Sequence, residues 1–142
     1  MIGIVVATHG RLGEALIETG TEVVKVHGPL RSMGIEKGDS TDIYEGRLRA
    51  AVQDVDRGKG VVVLTDMFGG TPSNIGMTLH EMGKVELLTG VNLPMLVKAL
   101  QLSTSDKSLD EVAAEIQVVA HRSIAVASKV LSREPAKAEK VK

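Results

Sequence analysis

The sequence predicts a doubly wound α/β domain: a mainly parallel four-stranded sheet of order 2-1-3-4, flanked by helices and ending in a long C-terminal helix. Three observations predict it. Four short apolar runs alternate with longer segments of helical period. The runs are nearly continuous in apolar, β-branched residues rather than alternating, which marks strands covered on both faces. Finally, right-handed crossovers between parallel strands place helices on both sides of such a sheet.

The elements follow in order. Residues 2–7 form the first strand, all apolar apart from the small Gly3. A helix over 12–26 places Leu12, Ala15, Leu16, Val23 and Val26 on its inner face. Residues 30–35 are a weaker second strand. Asp42 with Glu45 three residues later forms a capping box that opens a helix to Val55. Residues 59–65 give the third strand. Thr71-Pro72 then starts a helix, with Thr as N-cap and Pro in the first turn. Residues 85–89 are the fourth strand and 94–102 a short helix. A second capping box, Ser108 with Glu111, opens the longest helix, with Leu109, Val112, Ile116, Val119, Ile124, Ala127 and Leu131 recurring at helical spacing. Residues 1–132 form one domain, and the charged segment 133–142, broken by Pro135, reads as a disordered tail.

Composition excludes several classes. The chain of 142 residues has 43% hydrophobic residues but only Tyr44 and Phe68 as aromatics, so its core is aliphatic. A net charge of -1 and the near-absence of stacking platforms argue against nucleic acid. Without cysteine there are no disulfides, thiolate zinc sites or cysteine nucleophiles. No apolar run approaches the roughly 20 residues of a membrane span, and no signal peptide opens the chain, so a cytoplasmic protein is expected. The four histidines show no metal spacing, and neither GxxxxGK[ST] nor GxGxxG occurs, so no metal, nucleotide or other cofactor is expected.

Chemistry in an open parallel sheet collects at the carboxyl ends of the strands, where the strand order reverses. Strand one ends in Thr8-His9-Gly10 and strand three in Thr65-Asp66. In the order 2-1-3-4 these ends are neighbours, which sets a nucleophilic imidazole beside a carboxylate. One ring nitrogen can attack phosphorus while the other, held by Asp66, keeps the proton. Gly10 allows close backbone approach to the ring and an incoming phosphate. Gly69, Gly70, Thr71 and Ser73 open a helix, and free N–H groups there suit an anion. A plain strand-end histidine and an ordinary tight turn are the bland alternatives. Since no nucleotide site exists, the phosphoryl group must arrive already activated on another molecule. Met67 and Phe68, beside Asp66, form a candidate apolar docking patch for protein partners. Phe68 folded inward as core is the competing reading.

These residues are also recognisable. Ile4-Val5-Val6-Ala7-Thr8-His9-Gly10 resembles the opening strand and phosphorylated histidine of the IIA domain of the mannose-type bacterial sugar phosphotransferase system. Asp66-Met67-Phe68-Gly69-Gly70-Thr71-Pro72-Ser73-Asn74 and Gly90-Val91-Asn92-Leu93-Pro94-Met95-Leu96 are similar to two further signatures of that family. The resemblance spans about residues 1–130. It implies that His9 accepts phosphate from the phosphohistidine of the small phosphocarrier protein and donates it to a IIB component, with Asp66 orienting the ring. It also implies a homodimer made through strand four and the C-terminal segment. Thr71 stands where Ser is usual in the family, and no IIB domain follows on this chain, so the acceptor is expected on a separate protein. A regulatory phosphoprotein with the same His9 chemistry is the alternative. The related subunit of dihydroxyacetone kinases usually has Ser after the histidine, where this chain has Gly10.

Overall fold

A computed structural model describes residues 1–67, 76–80 and 83–132. Its elements are β1 (Gly3–His9), α1 (Leu12–Val23), β2 (Leu30–Ile35), α2 (Thr41–Val55), β3 (Val61–Thr65) and β4 (Val85–Leu88). They continue with α3 (Leu93–Leu102), α4 (Leu109–Ser123) and the short α5 (Ala127–Leu131). All strand pairings are parallel and the order is β2-β1-β3-β4, as expected. The helix start expected at Thr71-Pro72 lies outside the described residues, as does the segment 133–142.

Both faces of the sheet are buried, which explains the unbroken apolar runs. Ile4, Val6, Val62 and Leu64 face a layer of Leu96, Leu100, Val112 and Ile116. The alternate residues Val5, Ala7, Val61 and Val63 face Tyr44, Leu48, Ala51 and Val55. Each fully buried Leu, Ile or Val contributes about 1.5–3 kcal/mol relative to exposure. Among the described residues the aliphatic core holds one aromatic: Tyr44 is completely buried, and its hydroxyl donates to the Met33 carbonyl at 3.3 Å.

Three expectations need correction. Helix α1 stops at Val23, and the expected inner residues Leu12, Ala15, Val23 and Val26 are exposed. Its buried positions are Gly13 and Gly20, with Leu16, Ile17 and Val24 partly buried against the core. A methyl group at Gly20 would lie 2.9 Å from Leu96 Cδ2, so the glycine lets α1 pack closely on α3. The cap of α2 is Ser40, whose hydroxyl accepts the Ile43 N–H at 3.2 Å, not Asp42. The capping box of Ser108 and Glu111 is present, but α4 ends at Ser123 and matches α2 in length at 15 residues. Ile124 and Leu131 are therefore 81% and 84% exposed instead of continuing a buried stripe.

The register sets the functional edge. Ala7 lies opposite Thr65, so β1 and β3 leave the sheet together, one running into Thr8-His9 and the other into Asp66. On the other side His9 lies opposite Ile35 of β2.

Candidate phosphoryl-transfer site

His9 is the last residue of β1, with its side chain 47% exposed, and Asp66 directly follows β3 with its side chain 9% exposed. The carboxylate grips His9 twice. Asp66 Oδ2 accepts the His9 backbone N–H at 3.0 Å and lies 3.0 Å from ring Nδ1, while Oδ1 is 3.3 Å from the same nitrogen. Oδ1 also accepts the Met67 N–H at 2.9 Å. Burial pushes the Asp66 carboxyl up, but the hydrogen bonds from the His9 backbone and ring, with the attraction of the ring whenever it is charged, outweigh it. The net result lies below the ordinary carboxylate value, so Asp66 is ionised and can only accept. Nδ1 must then carry the proton. That leaves Nε2 with its lone pair, and among the described residues it makes no hydrogen bond.

The surroundings hold this pair in place. Thr8, completely buried, accepts the Gly13 N–H at 2.8 Å and so ties the start of α1 to the residue before His9. Val91 donates to the Thr65 carbonyl at 2.8 Å, which anchors the loop after β4 beside Asp66. Asn92 caps α3 by accepting the Met95 N–H at 3.0 Å and donates to Ser123 at 3.2 Å. Under the site, burial raises the Tyr44 phenol to about 12; Arg47 opposes this and the negative charge of Asp66 adds to it. The phenol stays protonated. Sequence reasoning did not single out Thr8 or Tyr44 as parts of this setting. A threonine five residues before a helical N–H was the available signal for the first.

Other sequence candidates stand as follows. Gly10 has φ +55, a left-handed conformation, and its N–H donates to the Ile35 carbonyl at 2.8 Å. A phosphate would thus gain open space beside Gly10, where even a methyl group would meet none of the described residues within 4 Å, rather than its N–H. Met67 is 58% exposed. Phe68, Gly69, Gly70, Thr71 and Ser73 lie outside the described residues. His27 lies beyond the end of α1, bonded through Nδ1 to the Gly28 carbonyl at 2.7 Å. His80 pairs with Glu86 at 3.4 Å, and among the described residues no group of three metal-ligating side chains forms.

An imidazole held by a carboxylate at the strand-order reversal of a doubly wound sheet is an arrangement suited to carrying a reactive group on histidine. Comparison with known proteins gives this arrangement its family: a model of the PTS system fructose IIA component matches residues 3–117. The chain belongs to this family. It is 31% identical over 114 residues to the PTS system mannose-specific EIIAB component of Escherichia coli strain K12, covering 80% of this chain and 35% of that protein. The chain thus spans about a third of the length of that relative. It is 26% identical over 134 residues to the PTS system fructose-specific EIIA component of Bacillus subtilis strain 168, covering 94% and 91% of the two chains. The crystal structure of phosphotransferase system component EIIA from Streptococcus agalactiae superposes with a TM-score of 0.81 at 26% identity, covering 91% of this chain and 99% of that one. Among the described residues, no helix is long and apolar enough to cross a membrane.

Proposed function

We propose that Nε2 of His9 accepts a phosphoryl group from the phosphohistidine of the small phosphocarrier protein and passes it to a IIB component, in the cytoplasm and without a cofactor. The contact of His9 Nδ1 with Asp66 carries this reading. In the forward step the Nε2 lone pair bonds to phosphorus as the donor's N–P bond breaks, and the donor imidazole keeps that electron pair. The ring then carries phosphorus on Nε2 and a proton on Nδ1, a cationic state that the Asp66 carboxylate steadies. Phosphoryl transfer of this kind asks the protein mainly for positioning and charge stabilisation. Gly10, Gly69, Gly70, Thr71 and Ser73 are proposed to surround the phosphoryl oxygens, with Met67 and Phe68 docking the partners. Family membership favours transfer in sugar uptake over the regulatory alternative. Incubation with phosphoenolpyruvate, the first enzyme of the system and the phosphocarrier should add one phosphoryl group, labile to acid and stable to base. No incorporation, or an acid-stable product, would refute the reading.

The working unit is proposed to be a homodimer joined along β4 and the C-terminal segment. Strand β4 pairs with β3 on one side and is an edge of the sheet on the other, where among the described residues no strand pairs with it. A groove of about 940 Å³ runs between this edge and α4, lined in part by Met77, Leu87, Leu88, Ala113 and Ile124. Exposed β-edges are normally covered, and Ile124, 81% exposed, offers an apolar side chain at the groove. Light scattering at micromolar concentration should report a dimer; a monomer would refute this assembly.

A further inference from the structure

We propose that Gly34 of β2 is a positioning residue for His9, because the turn that carries the phosphoacceptor passes directly over its missing side chain. The inference rests on the reading of His9 as the phosphoacceptor.

Strands β1 and β2 pair in parallel from Ile4 opposite Leu30 to His9 opposite Ile35. One further hydrogen bond, from the Gly10 N–H to the Ile35 carbonyl at 2.8 Å, extends the ladder past the strand end. The chain then turns at Gly10, in the left-handed region, and enters α1 at Leu12. That turn brings the Gly10 carbonyl over Gly34. A methyl group at Gly34 would lie far inside contact distance of the Gly10 carbonyl oxygen and 3.4 Å from its carbon. Its next neighbour, Glu36 Oε1, is 3.9 Å away, so nothing else crowds the position. Gly34 does not have a positive φ. The requirement is therefore space and not backbone conformation, and the space is taken by the residue after His9.

The other constraints on His9 leave this carbonyl little room to retreat. The His9 backbone N–H is bonded to Asp66, the Gly10 N–H to Ile35, and the residue before His9 is tied to Gly13 through Thr8. A methyl group at Gly34 thus lifts Gly10 and rotates the peptide that joins it to His9. The ring moves relative to Asp66, whereas Met67 and the exposed surface of α1 stay in place. Displacement by about 1 Å of a group that must attack in line can cost on the order of 10²-fold in rate.

The test measures single-turnover transfer from phosphorylated phosphocarrier to Gly34→Ala, together with the NMR signal of His9 Nδ1. Gly28→Ala serves as control, since a methyl group there would meet the Ile2 carbonyl oxygen at 2.9 Å and Ile2 immediately precedes β1, at the end opposite to His9. Gly34→Ala is expected to lower the limiting rate on the order of 10²-fold, with an unchanged half-saturating phosphocarrier concentration and a shifted Nδ1 signal. Gly28→Ala should lose stability but keep both rate and signal. The variant is also made in a Gly46→Ala background, where the added methyl group on α2 meets nothing within 4 Å and strengthens the helix. A wild-type rate and Nδ1 signal in Gly34→Ala would overturn the proposal, as would equal rate losses in both variants. Failure to fold even with Gly46→Ala would overturn it too, since Gly34 would then be a residue of the fold itself. If the wild-type protein takes no phosphoryl group, the functional reading fails separately, and the Nδ1 signal alone still decides whether Gly34 positions His9.

Discussion

The His9→Ala protein is expected to take up no phosphoryl group while keeping its fold, the largest effect of any single substitution here. The side chain is 47% exposed and belongs to neither buried cluster, so its removal opens no cavity. It does leave the Asp66 carboxylate without its ring partner, but the backbone N–H groups of residues 9 and 67 remain as donors. The expected stability change is therefore small beside the chemical loss, which is complete because the attacking atom is gone. Mass spectrometry after incubation with the donor system reads the result, with circular dichroism to verify the fold. Phosphoryl incorporation that persists in His9→Ala would place the acceptor elsewhere, on His27, His80 or His121, and would end the account of the site.

Asp66→Asn should lower the transfer rate on the order of 10²-fold, the range for losing a partner that orients and charges a reacting histidine. The amide can still hydrogen-bond Nδ1, so the ring stays near its place. It cannot dictate that Nδ1 carries the proton, and it cannot steady the cationic ring after transfer. An unchanged rate would show that another group orients His9. The same substitution has a signature in stability. Asp66 is held below the ordinary carboxylate value in the folded protein, so its contribution is present above about pH 4, the unfolded value. That contribution is lost as the pH falls through the lower folded value. Denaturant titrations of wild type and Asp66→Asn should therefore converge on acidification, because the advantage of the carboxylate disappears once it is protonated. A gap that stays constant down to pH 2 would contradict this role.

Much of the fold was legible because its central strands, β1 and β3, are buried on both faces. Continuous apolar runs around Val5 and Val63 cannot be half-exposed strands, and the alternation with helices left few topologies. The site was legible for a related reason. Once the order placed β1 beside β3, the residues at their ends had to meet, and His9 and Asp66 were the reactive ones. The errors arose where packing rests on small residues or on a single hydroxyl. Hydropathy marks Leu12, Val23 and Val26 as inner residues of α1, but the face that packs contains Gly13 and Gly20, which carry no hydropathy signal. The spacing of Asp42 and Glu45 pointed to Asp42 as the N-cap of α2, and only the backbone shows that Ser40 holds the free N–H of Ile43. The end of α4 was hidden as well. No Gly or Pro marks it; the Ser123 hydroxyl donates to Ala120 and accepts from Asn92 on the loop after β4, a contact visible only in three dimensions. Gly34 escaped notice because its importance lies in what it leaves empty beside Gly10.

The central proposal concerns one atom: that His9 takes the phosphoryl group on Nε2, because Asp66 lies 3.0 Å from Nδ1. Its most direct test is NMR of protein labelled with nitrogen-15 in histidine, phosphorylated through the phosphocarrier and read by the nitrogen–phosphorus coupling within the His9 ring. The account predicts coupling at Nε2, with Nδ1 still protonated. Coupling at Nδ1, which would require the Asp66 contact to break, would contradict it.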